Sequence, residues 1–355
     1  MSIKPSQPNL QASSGARNRR AARARAMKAR RVTARRLLAP EHFHASLRLN
    51  PPPSPWMGCI AGLQAALAVL IAIVLLRHSM WPHLVGFAAL GALAALFGRF
   101  APLLKRHGIV WICAVMLTGA VFVTSLTSWL GAPAFVVVLM VACVAGAATI
   151  GFSYWKLGGP GAVIIVFAAG AAMTPLDSWS MLVERTLATA AGGLVAWLVT
   201  SATDFLRLKE LGRVQVPEEP SRPFSHILLA GGRIAIGAGA AALIAHAAGW
   251  NHPSWAAIGA TAVMQGAHLH ITLHRALQRM AGTLVGSLLV WLILEMQPPF
   301  WAIVGVIVFF QFITEVVIGY NYALGQIAIT PMALLMTYLA APVANATQMS
   351  IERVF

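Results

Sequence analysis

Eleven apolar runs, each about as long as a bilayer is thick, leave this chain few ways to fold. They read as residues 57–76, 80–98, 108–129, 132–154, 158–174, 184–203, 227–248, 253–271, 280–297, 299–318 and 321–340. About 20 apolar residues in a helix cross the ~30 Å of hydrocarbon in a bilayer. The runs are continuous rather than alternating, which excludes a transmembrane β-barrel. Composition agrees, with 58% of residues hydrophobic and 10% charged, where soluble domains carry about 25% charge. The expected fold is an all-α polytopic membrane protein.

The net charge of +16 follows topology rather than a nucleic-acid partner. Twelve of the 26 Lys and Arg lie in the first 50 residues, opposed there by Glu41 alone, and they follow no helical face. Residues 1–56 read as a basic, disordered cytoplasmic tail that sets topology and touches anionic lipid. With the N-terminus in the cytoplasm, the remaining Lys and Arg outside the spans divide 10 to 3 in favour of that side. The expected location is a bacterial inner membrane, crossed many times. Cys59, Cys113 and Cys143 all lie in apolar runs and read as small packing residues.

The chain also resembles itself. "LVERTLATAAGG" (182–193) opens the sixth run, and the terminal "SIERVF" aligns with its start. Upstream of each stand an apolar run and a proline at similar spacing, and "LKRHG" (104–108) lines up with "LQRMAG" (277–282). Two parallel pseudo-repeats of six transmembrane helices follow, offset by 167–173 residues. The first unit occupies 57–204, a cytoplasmic linker 205–226, and the second unit 227–355. Glu352 and Arg353 then open a twelfth span whose body is missing or truncated; the alternative is a protein that works with eleven.

"HPSWAAIGATAVMQGAHLHITLHRALQRMAGTLVGSLLVWLI" (252–293) and "NYALGQIAITPMALL" (321–335) carry a resemblance. The elements are His252-Pro253-x-Trp255, Arg275-x-x-x-Arg279 running into Gly282-Thr283 and Gly286, and Thr330-Pro331 after Asn321-Tyr322. They resemble the fusaric acid resistance protein-like family, the bacterial aromatic acid exporters. The resemblance implies an inner-membrane exporter of aromatic carboxylic acids. It also suggests kinship with plant aluminium-activated malate channels, in which two six-helix units enclose an anion path. The first half lacks the His-Pro-x-Trp signature, and only the short linker separates the halves here.

A charge in hydrocarbon costs at least ~2.5 kcal/mol, so charges inside spans need a reason. Leaving aside Glu184, Arg185 and Glu295 at the ends of their runs, Arg233 and Glu315 are the two such residues, at similar depth near the cytoplasmic side. One reading makes Arg233 the site for a substrate carboxylate, with Glu315 as its resting counter-ion and proton carrier. The other makes them a structural ion pair or snorkelling side chains. Gln64 stands in the first unit where Arg233 stands in the second. Arg185, with Arg353 by repeat, offers anions a positive mouth. Pro331 frees the carbonyl of Ile327 and, with Thr330 and Gln326, places polar groups at membrane depth. "GGPG" (158–161) is its nearest parallel in the first unit. Gln265 and Gln311 read as helix-to-helix hydrogen bonders, with Gln265 also a candidate for the pathway.

His268, His270 and His274 lack an acidic or Cys companion for a metal site. No hydrolase signature and no Walker motif is present, so neither an enzyme nor a cofactor is expected. The expected function is secondary export of small organic anions, of the fusaric acid or hydroxybenzoate kind, with proton coupling left open. The rivals are a passive organic-anion channel and a non-transporting membrane subunit. The expected partners are the anionic substrate and the bilayer, with a homo-oligomer or a periplasmic adaptor left open.

Overall fold

The computed structural model describes residues 54–211, 223–265 and 269–340, with Leu49 and Pro52. The basic tail, most of the linker, His268 and the Glu352-Arg353 pair lie outside the described residues. The helices are α1 Pro55–Arg77, α2 Val85–Ala92, α3 Leu103–Trp129, α4 Ala134–Trp155, α5 Ala162–Ala171, α6 Trp179–Thr203, α7 Phe224–Ala247, α8 Ser254–Met264, α9 Leu269–Glu295, α10 Phe300–Val317 and α11 Tyr322–Ala340. Short 3-10 turns flank α2, so that Pro82–Leu96 is one apolar segment, and another turn, Asp204–Arg207, continues α6.

Local signals fix several boundaries. Ser54 caps α1 by accepting from the Met57 amide at 3.2 Å, with Pro55 in the first turn. Such a proline donates no bond, and its φ already suits a helix. Ser178 caps α6 through Met181 in the same way. Lys156 ends α4 in the left-handed region at φ 52°, and Gly158 and Gly161 follow at φ 78° and 85°. The "GGPG" stretch is thus a turn before α5 and does not interrupt a helix.

Eight helices among the described residues are long and apolar enough to cross a membrane, and three shorter apolar segments stand beside them. Together they occupy the places of the eleven expected spans, so the protein is a polytopic helical membrane protein. The difference lies in length. Pro82–Leu96, α5 and α8 hold 15, 10 and 11 residues, or about 22, 15 and 17 Å of helix. None crosses ~30 Å alone. Non-helical backbone at membrane depth is tolerated only inside protein or along a cavity. The short segments meet that condition: every residue from Leu84 to Phe97 is buried, and α5 lies against α3, α4 and α8.

The long helices start earlier than their apolar runs. α3 opens at Leu103, α6 at Trp179 and α9 at Leu269. Arg106, Arg185 and Arg279, expected at span edges or in loops, therefore sit inside helices.

Neighbours come in matched sets. α4 packs along α7, and α10 along α1. α5 meets α8 and α11 meets α2; α3 meets α5 and α9 meets α11; α1 meets α2 and α7 meets α8. The seams use small residues, as they must where lipid is as apolar as a side chain. A Cβ on Gly62 of α1 would fall 2.8 Å from the Phe312 carbonyl oxygen of α10, and one on Gly231 of α7 would fall 3.0 Å from that of Gly146 in α4.

Candidate functional site

Charged side chains gather at the end of the bundle where α2 finishes and α3 begins. Arg106 and Arg207 are fully buried, and Asp204 is 2% exposed. Asp204 Oδ1 accepts from Arg106 at 2.5 Å and from Arg207 at 2.6 Å. Arg207 also donates to the carbonyls of Gly98, Arg99 and Ala101 at 3.3, 2.8 and 2.7 Å, tying the end of α6 to the α2–α3 loop. Ser54 donates to Glu210 at 2.5 Å and brings the start of α1 to the same place.

Glu315 belongs to this group. Its Oε2 lies 3.5 Å from Arg99 Nη1, with the two side chains 10% and 13% exposed. The expected Arg233–Glu315 pair is therefore replaced by Arg99–Glu315. Arg99 lies one residue past the second apolar run. The loop folds back beneath α1 and α10, a register that sequence spacing does not encode. One turn deeper on α10, Gln311 is fully buried, and neither atom of its amide has a hydrogen-bond partner among the described residues. The expected helix-to-helix bond from Gln311 is absent among the described residues. Gln64 does make one, to Thr203 at 2.8 Å.

The cluster has donors to spare. The Nε and Nη2 of Arg106 make no hydrogen bond among the described residues, nor do the Nε of Arg99 and of Arg207. The Nε–Nη2 edge of a guanidinium is one of those that accept a carboxylate through two parallel bonds. Two buried guanidiniums, with the half-buried Arg99 beside them, share this end with Asp204, Glu315 and Glu210.

Arg233 lies on the exposed face of α7 and donates to the Met264 carbonyl at 2.9 Å. Met264 is the last residue of α8, so Arg233 satisfies one of the carbonyls that a helix end leaves free. A cation there also opposes the helix dipole. Gln265 is the next residue, and a Cβ on Gly161, just before α5, would lie 3.0 Å from its Nε2. Arg233 and Gln265 thus mark one place, where α8 ends beside the start of α5.

Gln326, Thr330 and Pro331 mark another. Thr330 is fully buried and donates to the Gln326 carbonyl at 2.8 Å. Gln326 Oε1 accepts from Arg279 of α9 at 3.4 Å. Arg279 is 9% exposed, so it is held inside the protein rather than in a loop at the membrane face. Arg185 stands apart, at the opposite end. It is buried, donates to the Thr174 carbonyl at 3.1 Å and lies over the Phe87 ring. It offers no exposed positive mouth.

Residues 240–355 match the family model described as fusaric acid resistance protein-like. The resemblance carried by His252-Pro253-x-Trp255 and Thr330-Pro331 is borne out over that segment. The uncharacterized membrane protein YvaC of Bacillus subtilis (strain 168) is 40% identical over 98 residues, which is 28% of this chain and 16% of that protein. The match thus spans about one sixth of the relative's own length. No solved structure matches the chain.

Proposed function

We propose that this chain moves small organic anions, aromatic carboxylates foremost, across a bacterial inner membrane. The Arg99–Glu315 pair with Gln311 behind it carries the reading. An ion pair at 3.5 Å, with spare guanidinium edges beside it and an unsatisfied buried amide one turn deeper, suits a group that exchanges one carboxylate for another. Family likeness over 240–355 supports the substrate class, and the short helices α2, α5 and α8, with Pro331 inside α11, support a path between them, because interrupted helices line transporter sites.

In this mechanism a substrate carboxylate takes the free Nε–Nη2 edge of Arg106 at the basic end. Glu315 leaves Arg99 on protonation, and Arg99 then follows the anion. Gln311 donates to the passing carboxylate. Gln265, Gln326, Thr330 and Pro331 line the deeper part, and Arg233 holds the end of α8 in place. Arg185 steadies the far end through Thr174. Export is the expected direction, with the basic end cytoplasmic and protons as the coupling ion.

Uptake of labelled hydroxybenzoate into inverted vesicles tests this, with and without a pH gradient. Accumulation above equilibrium is expected only with the gradient, and Glu315→Gln is expected to abolish it while Arg233→Gln retains it. Unchanged accumulation by both Arg99→Gln and Glu315→Gln would sink the mechanism. Equilibration that ignores the gradient would mean a passive channel.

A further inference from the structure

At the basic end, Arg106 and Arg207 share Asp204, and Arg99 faces Glu315. Arg185, at the opposite end, has no such companion. It is 6% exposed, and none of the ion pairs among the described residues includes it. Its Nη1 donates to the Thr174 carbonyl at 3.1 Å, and its guanidinium lies over the Phe87 ring at 5.3 Å. Its Nε is buried and has no hydrogen-bond partner among the described residues. The neighbouring acids do not supply a counter-ion. Glu184 faces His83 at 3.9 Å, and Asp177, whose charge reaches Arg185, is itself exposed. A buried cation without a counter-charge is strongly destabilising, and membrane depth makes it more so.

The facing helix adds two polar groups at the same level. α3 and α6 run antiparallel: a Cβ on Gly193 would fall 2.8 Å from that of Ala114, and the rings of Trp129 and Trp179 meet at 5.1 Å. Counted inward from those two contacts, Arg185 stands opposite residues 122–123. Thr124 and Ser125 therefore lie within about one helical turn, ~5 Å, of its level. Both are fully buried, and neither hydroxyl has a partner among the described residues. Thr118 and Thr127 of the same helix behave otherwise, bonding back to the carbonyls of Ala114 and Val123 at 2.9 and 2.8 Å. That back-bond is the usual outlet for a hydroxyl in an apolar helix, and Thr124 and Ser125 leave it unmade. Phe87 of α2 and Thr174, in the turn after α5, bring two of the short apolar segments to the same place.

We propose that Arg185 seats a carboxylate at this end of the first half, with the hydroxyls of Thr124 and Ser125 as further donors. Water would satisfy the hydroxyls but brings no counter-charge; a carboxylate brings both acceptors and charge. The Nε of a guanidinium belongs to an edge that takes a carboxylate through two parallel bonds. α3 and α6 then carry an arginine seat at each end, Arg106 at the basic one and Arg185 at the other. The site stands on its own geometry. Only the identity of the carboxylate, that of the transported aromatic acid, rests on the transport reading.

The test puts a fluorine beside the site. The full chain in lipid nanodiscs, with para-fluorophenylalanine at position 87, is titrated with para-hydroxybenzoate while its fluorine resonance is followed. A shift that saturates is expected. Arg185→Gln is expected to weaken the apparent affinity at least about tenfold, and Thr124→Val about threefold. Arg185→Lys, which keeps the charge and loses the two-pronged edge, should fall between wild type and Arg185→Gln. Should Arg185→Gln fold poorly, Arg185→Lys and Thr124→Val carry the test. No saturable shift at position 87, or one that these variants leave unchanged, would overturn the proposal. So would an equal shift with sodium chloride, which would make the seat a halide site. The same fluorine at Phe100, whose ring lies 5.4 Å from the Arg99 guanidinium, reads the basic end. A response at position 100 alone would overturn this proposal and leave the transport reading standing; a response at position 87 alone would do the reverse.

Discussion

Asp204 is one carboxylate oxygen shared by two fully buried guanidiniums, and its removal leaves both without a counter-charge. Breaking a buried ion pair from one side costs about 3–5 kcal/mol, whereas replacing both partners is often near neutral. Asp204→Asn is therefore expected to lower stability by about that amount, the largest loss of any substitution at this end. Glu315→Gln costs less, because its pair with Arg99 is longer and slightly exposed. The double variant Arg99→Gln, Glu315→Gln should recover most of what either single change loses. Unfolding in detergent, followed by tryptophan fluorescence, gives the cycle; strictly additive losses would mean that Arg99 and Glu315 do not interact. Sequence told correctly that charges at membrane depth must have partners. It chose the wrong partner for Glu315, because Arg99 approaches through a loop whose path depends on Arg207 holding three carbonyls of that loop. That Gln326, Thr330 and Pro331 fall inside one helix was legible from the apolar run around them; Thr330 there bonds the Gln326 carbonyl of its own helix. Arg279 was not legible, because α9 opens well before its apolar run does.

At the scale of elements, all eleven apolar segments were legible and three of their lengths were not. Hydropathy registers apolar residues, and Pro82–Leu96 is apolar throughout; only the packing of other helices around it makes a short helix acceptable at that depth. The α2–α6 seam shows what such packing requires. Gly91 and Gly192 bring two backbones so close that an added methyl would meet carbonyl oxygens rather than flexible side chains. Backbone cannot step aside without moving a helix. Gly192→Ala is expected to cost about 1–3 kcal/mol by overpacking. Gly119→Ala in α3 is the control, because nothing lies within 4 Å of the added carbon, and it should be neutral or gain up to about 1 kcal/mol from helix propensity. Thermal midpoints of the two variants decide the matter. A Gly192→Ala midpoint as high as that of Gly119→Ala would mean that α2 and α6 are looser in the bilayer than this packing implies.

For the whole molecule, the ends of the bundle carry different contacts, and those contacts determine which segments count as crossings. Ser54–Glu210, Arg99–Glu315 and the Asp204 cluster join residues at one end. Arg77 over Phe300, His83 with Glu184, and Trp129 with Trp179 join residues at the other. The chain reaches alternate ends only if Pro82–Leu96 and α5 each carry it across, short as they are. With the basic end inside, Met80 and Leu130, both well exposed, must face outward, while Lys156 and Glu210 face inward. Single cysteines at these four positions, in a chain whose native cysteines are replaced by Ala, can be tested with a membrane-impermeant maleimide. Intact spheroplasts should label positions 80 and 130, and inverted vesicles positions 156 and 210. Labelling of 80 and 156 from the same side would mean that one of the segments between them turns back within the membrane. The matched neighbours of the two halves would then arise without matched orientation.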